Sequence, residues 1–225
     1  MTVRLAIFDC DGTLVDSQHS IVSAMQGAFD AASLTCPDRA RILSGVGLSL
    51  PQIMAQLLPE ADAEFHDVMI GHYKRCFFEM RSAGTLQEPL YDGIADLLDA
   101  LDAAGWLLAV ATGKSDRGLA AVLAHHGLLD RFVSLQTADR HPSKPHPAMI
   151  EAALFETGAL AGDAVMIGDT SFDMLMANAA GVAALGVSWG YHAEDELFAA
   201  GALSVAADSA ALANHLGLGS SRKIS

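Results

Sequence analysis

Short, almost wholly apolar runs alternate with amphipathic stretches through most of the chain. The runs are "VRLAIF" (3–8), "WLLAVAT" (106–112), "RFVSLQ" (131–136), "AVMIG" (164–168) and "VAALGV" (182–187). Continuous apolar segments of this length, without alternation, are typical of strands covered on both faces, as in a parallel sheet. Between them apolar residues return at helical spacing. Ile94, Leu97, Leu98 and Leu101 mark a helix that stops at Gly105. Residues 115–127 open on a Ser-Asp capping candidate and close on Gly127, and 147–158 start with Pro147 and end at Gly158. Strand and helix in alternation predict an α/β fold, a doubly wound parallel sheet with right-handed crossovers.

Residues 16–85 break this rhythm. Ile21, Val22, Met25, Phe29 and Ala32 share one helical face, 50–58 and 63–81 also read as helical, and no strand pattern occurs. The expectation is a small all-helical domain over 16–85, inserted after the first strand of a core formed by 1–15 and 86–216. Gly84, Pro89 and Gly93 would furnish the return linker, and 217–225 would be a frayed tail.

Composition narrows the function. A chain of 225 residues, 52% of them hydrophobic, suffices for one sizeable core and a small appended domain. Its 27 acidic and 13 basic residues give a formal net charge of -14, which repels nucleic acid and anionic lipid. A metal ion or a lysine can still reverse the field inside a cleft. Cys10, Cys36 and Cys76 are odd in number and form no C-x-x-C pair, which speaks for a reducing compartment and against a disulfide framework or structural zinc. Asp9 and Asp11 precede any leader-like apolar segment, and no apolar run approaches the roughly 18 residues of a membrane span. A cytoplasmic protein is expected.

The polar residues that interrupt this pattern fall where strands end. In an open parallel sheet, ligands bind at the carboxyl ends of the strands, near the point where strand order reverses. Asp9 and Asp11 leave the first strand, and Thr112, Gly113 and Lys114 leave the second. Lys144, in "SKPHP", follows the third after a loop, and Asp169 and Asp173, in "GDTSFD", follow the fourth. Cations, carboxylates and a hydroxyl meeting at one edge have the makings of a metal-assisted phosphoryl site. Gly12 suits a tight turn away from the strand. Thr170 and Asp173 also have capping-box spacing, so a structural role competes at Asp173. Lys114 and Asp116 read equally well as loop-orienting or capping residues.

"DCDGT" (9–13), "TGK" (112–114), Lys144-Pro145 and "GDTSFD" (168–173) resemble the motifs of the haloacid dehalogenase-like hydrolase superfamily, in its phosphatase branch. All four occur in order. The resemblance spans essentially the whole chain, including the helical insert, which sits where that branch carries its cap. It implies a Mg²⁺-dependent phosphatase acting on a small phosphorylated metabolite. Asp9 would be the nucleophile that forms an aspartyl-phosphate, and Asp11 the acid and then the base. Mg²⁺ would be held by Asp9, the backbone carbonyl of Asp11 and Asp169, with Asp173 supporting the metal shell. Thr112, Gly113 and Lys144 would bind the phosphoryl oxygens.

The insert would choose the substrate. Gln18, His19, Arg41, Lys74 and Arg75 are its candidate polar groups, and "SGVGLSL" (44–50) resembles a cap loop that faces the site. "GVSWGYHAEDEL" (186–197) resembles the corresponding segment of phosphoglycolate phosphatase-like members, which implies phosphoglycolate as substrate. The alternatives are a β-phosphoglucomutase-type phosphomutase and a phosphonoacetaldehyde hydrolase-like enzyme using Lys74 as a Schiff base. A non-catalytic interaction protein would not need to keep Asp9.

Overall fold

Each strand of this protein presents apolar side chains to both sides, and the computed structural model, which describes residues 2–218, shows what covers them. Six strands form one all-parallel sheet: β1 (Arg4–Phe8), β2 (Trp106–Thr112), β3 (Ser134–Thr137), β4 (Ala164–Gly168), β5 (Ala183–Val187) and β6 (Ser204–Ala206). Their order is β3-β2-β1-β4-β5-β6. Along β1, Ala6, Phe8 and Cys10 point into one cluster and Leu5 and Ile7 into the other. The first cluster is closed by α5 (Ile94–Ala103), α6 (Asp116–His125) and α10 (Ser209–His215). The second is closed by α7 (Ala148–Thr157), α8 (Ser171–Ala179) and α9 (Glu194–Ala199). Full burial of one large apolar side chain such as Phe8 or Leu98 contributes about 1.5–3 kcal/mol, so two complete layers hold the sheet between them.

The helical insert has a core of its own. Helices α1 (Gln18–Ala31), α2 (Arg39–Leu43), α3 (Leu50–Leu57) and α4 (Ala63–Ser82) pack around Met25, Phe29, Ile42, Met54 and Met69. Asp38 and Asp62 cap α2 and α4, each accepting a backbone N–H at 2.8 Å, from Arg41 and Phe65. The chain enters and leaves the insert side by side. Asp16 N–H donates to Pro89 O at 2.8 Å and Tyr91 N–H to Leu14 O at 3.0 Å. Among the described residues no helix is long and apolar enough to cross a membrane.

Three expectations need correction. The third strand begins at Ser134, because Leu129–Arg131 turn as a 3₁₀ helix and Val133 is exposed. The edge strand β6 has no apolar run to announce it, since it is only "SVA". The frayed tail does not start at 217: Leu218 N–H caps α10 through Ala213 O at 2.9 Å and its side chain packs on the core. The remainder of that segment, 219–225, lies outside the described residues.

Leu98→Ala is expected to lower the free energy of unfolding by about 2–5 kcal/mol, read from urea denaturation, because it opens a cavity under β1 and β2. Phe155→Ser, at a position 90% exposed, should shift it by no more than about 0.5 kcal/mol.

Candidate active site

Winding reverses between β1 and β4, and the residues that follow these two strands meet there. Asp9 continues the ladder of β1, its N–H donating to Ile167 O at 2.9 Å. Its side chain is buried. Oδ1 accepts from Cys10 N–H at 2.7 Å and from the Lys144 ammonium at 2.9 Å. Oδ2 is buried and has no hydrogen-bond partner. Lys144, also fully buried, donates to Asp173 Oδ1 at 2.6 Å. Asp173 Oδ2 in turn accepts from Thr170 N–H at 3.1 Å and Thr170 Oγ1–H at 2.7 Å. Asp173 thus reaches back to cap α8 and also anchors Lys144.

Asp169 is pinned from two sides, Oδ1 by Thr13 Oγ1–H at 2.7 Å and Oδ2 by Tyr191 N–H at 2.9 Å. The loop after β1 reaches it only because Gly12 has φ +85; a Cβ there would stand 2.2 Å from Asp169 Oδ2. Asp9, Asp169 and Asp173 each offer a carboxylate oxygen within 4.8 Å of the others. Asp11 belongs to a different set. Its Oδ1 accepts from Ser17 Oγ–H and from the Lys114 ammonium, the latter at 2.9 Å. Lys114 also donates to Glu88 Oε1 at 2.8 Å, and Glu88 Oε2 pairs with Arg81 of α4 at 3.2 Å.

Electrostatics follow from the burial. Desolvation pushes the Asp9 carboxyl up to about 7, against the pull of Lys144. Burial, then the charges of Asp9 and Asp173, holds Asp169 well above the usual carboxylate range. Burial alone would push Lys144 down, but Asp173 and Asp9 outweigh it and raise it above the usual ammonium range.

The insert closes over this edge. Gly113 lies so close to the 44–50 loop that a Cβ would meet Leu48 O at 2.4 Å, and Ser49 N–H donates to Ser143 Oγ at 2.7 Å. A cleft of about 530 Å³ remains between insert and sheet, lined by Asp9, Asp11, Thr112, Gly113 and Lys114 on the sheet side. Lys74 is exposed on the insert side of this cleft. Arg75 is not brought to the site: it lies on the exposed face of α4, against His72. Arg41 is likewise turned away, bonded to Gln56 O at 2.8 Å.

The family model for haloacid dehalogenase-like hydrolases matches residues 6–187. The chain belongs to that family. This hydrolase is 39% identical to "Probable phosphatase IndB" of Dickeya dadantii, over 87% of this chain and 86% of that protein. It is 34% identical to a 5'-nucleotidase of Pseudomonas aeruginosa, over 92% of each, and 33% identical to a phosphoglycolate phosphatase of Agrobacterium fabrum, over 83% of this chain and 81% of that one. The crystal structure of a predicted phosphatase from Clostridium acetobutylicum superposes with a TM-score of 0.85 at 26% identity, covering 96% of this chain and 99% of that one.

The hydrolase's carboxylate cluster fits a divalent cation. Its donors are hard oxygens, the set that suits Mg²⁺ rather than softer metals. The unpartnered Oδ2 of Asp9 and the raised Asp169 are what an uncompensated cation site produces. Asp9 and Asp169 would hold the ion, with Asp173 beside them. Sequence reasoning missed Thr13, Ser17, Glu88 and Tyr191. Thr13 closes the aspartate motif and Ser17 follows it, and both are ordinary loop hydroxyls by composition. Glu88 and Tyr191 lie in connections without periodicity, so only folding reveals what they touch.

In the metal-free hydrolase, Asp9→Asn should raise the melting temperature at pH 8, by about 2–4 °C per kcal/mol of relieved desolvation. A carboxyl whose folded value is raised to about 7 binds its proton more tightly when folded, so it costs stability as pH rises from about 4 to 7. The gain should therefore vanish near pH 4. Thermal melts of the two proteins across this range are the check.

Proposed function

We propose that this hydrolase is a Mg²⁺-dependent phosphatase that cleaves a small phosphomonoester through an aspartyl-phosphate on Asp9. One observation carries the reading. Asp9 sits at the cleft with one oxygen held by Lys144 and the Cys10 N–H, and the other buried without a partner. That is the arrangement a carboxylate needs to attack an electrophile with a defined orientation.

The chemistry divides between two aspartates. An oxygen of Asp9 forms the bond to phosphorus, and the ester P–O bond breaks with its electron pair going to the leaving oxygen. Asp11, held by Lys114 and Ser17, gives that oxygen its proton. Asp11 then takes a proton from a water whose oxygen attacks phosphorus, and the P–O bond to Asp9 breaks, restoring the Asp9 carboxylate and the protonated Asp11. Lys144 steadies Asp9 throughout, while Thr112 and the Gly113 N–H face the phosphoryl oxygens. Asp9 and Asp169 would hold Mg²⁺, which when bound would supply positive charge to offset the anions gathered there.

The names of the relatives support this reading at phosphorus and diverge beyond it. One is a phosphoglycolate phosphatase and another a 5'-nucleotidase, esters that share the phosphoryl group and differ in what leaves. The resemblance of the 186–197 segment points to phosphoglycolate, whereas the lining of the cleft points to another leaving group. Lys74 stands exposed, which gives no support to a Schiff-base role.

With p-nitrophenyl phosphate and Mg²⁺, Asp9→Asn should reduce phosphate release by about three orders of magnitude or more, with unchanged circular dichroism. Full activity in that variant, or isomerised sugar phosphate in place of free phosphate, would overturn the assignment. Lys114→Met should lower kcat by about tenfold to a hundredfold, since Asp11 loses its positioning partner. Mg²⁺ should raise the melting temperature of the wild type and leave that of Asp169→Asn unchanged.

A further inference from the structure

We infer that the leaving group of the substrate carries an uncharged aromatic ring; this rests on the phosphatase reading and concerns only what leaves. The cleft has two unlike walls. The sheet wall is polar and handles phosphorus. The insert wall is largely apolar, built of Ile53, Ile70, Leu50, Tyr73 and Phe77, with Lys74 and Arg81 at its polar positions. Tyr73 and Phe77 lie one turn apart on α4, with ring centroids 5.1 Å apart and planes at 45°.

This wall stands beside the proton donor. The Phe77 ring centroid is 5.9 Å from Lys114 Nζ, and that ammonium is 2.9 Å from Asp11 Oδ1. A group departing with the proton of Asp11 therefore leaves towards Phe77 and Tyr73. Aromatic faces favour offset or edge contact with a further ring, beyond the gain from burial.

The two cations of the cleft that are not fully exposed are already paired. Lys114 is paired with Asp11 and Glu88, and Arg81 with Glu88. The Arg117 guanidinium lies over the Phe78 ring at 5.4 Å. Of the lysines and arginines lining the cleft among the described residues, Lys74 and Arg117 form no ion pair, and both are exposed. A carboxylate on the leaving group, as in phosphoglycolate, would be desolvated against the apolar wall without a buried partner, which is costly. The space agrees. The cleft holds about 530 Å³, within the range of roughly 300–1,000 Å³ of sites that enclose ring-sized ligands.

Benzyl phosphate, ethyl phosphate and 2-phosphoglycolate separate the cases, because all three are alkyl esters and none has an activated phenol leaving group. The wild-type protein with Mg²⁺ should show kcat/KM for benzyl phosphate at least about tenfold above that for either of the others. Phe77→Leu keeps apolar volume and removes the ring. It should cut kcat/KM for benzyl phosphate about fivefold and leave ethyl phosphate within about twofold. Equal or better turnover of 2-phosphoglycolate, or an equal loss on benzyl and ethyl phosphates in the variant, would overturn the inference while leaving the phosphatase intact. Release of phosphate from none of the three would overturn the phosphatase reading, and this inference with it. Should Phe77→Leu fail to fold, the wild-type ratios decide the matter.

Discussion

Asp9, Asp169 and Asp173 crowd one dry corner of the sheet edge, and the buried ammonium of Lys144 is what the fold sets against them. Three like charges within a few ångströms repel strongly where water is excluded, and one lysine balances only part of that. Burial first, and the neighbouring carboxylates after it, shift Asp9 and Asp169 upward. The rest of the architecture keeps this unfavourable group in place. Two apolar layers fix β1 and β4 as neighbours, so that their carboxyl ends cannot drift apart. Thr13 and the Tyr191 N–H then hold Asp169, and Thr170 holds Asp173. Stability given up at the site is offset in the layers above and below the sheet.

The second aspartate is governed by another set of residues. Asp11 is gripped by Ser17, at the entrance to the insert, and by Lys114, which Glu88 at the exit also holds. The proton-handling group therefore takes its orientation from the two connections that join insert to sheet. The nucleophile takes its own from the sheet and from Lys144. Separate supports suit separate tasks: one carboxylate must be immobile to attack, and the other must exchange protons with both ester and water.

The doubly wound sheet was legible from its apolar runs because a strand buried on both faces has nothing but apolar positions to show. The helical insert was legible from the absence of such runs. The candidate site was legible as residue types at strand ends, since Asp9, Thr112, Lys144 and Asp169 are polar groups where the pattern calls for a turn. Arg75 shows the limit of that logic. A cation on a helix next to the site carries no mark of which way it faces, and this one turns to His72 and solvent while its neighbour Lys74 lines the cleft. Glu88 shows the converse. It precedes a proline in a stretch without period, and only the meeting of the 14–16 and 89–91 segments brings it under Lys114. The short β6 escaped because three residues hold no periodicity to detect.

The insert leaves the sheet after Val15 and rejoins it at Leu90, two positions that touch across an antiparallel bridge. The covalent connections of the helical unit are thus gathered at one place on the circumference of the fold. Amino-acid replacements on its apolar wall can reshape what the enclosed chamber accepts, while the residues that hold Asp9 and Asp169 lie outside it. A chain organised this way can change its preference among esters by drift in one segment while the other segment keeps the reaction constant.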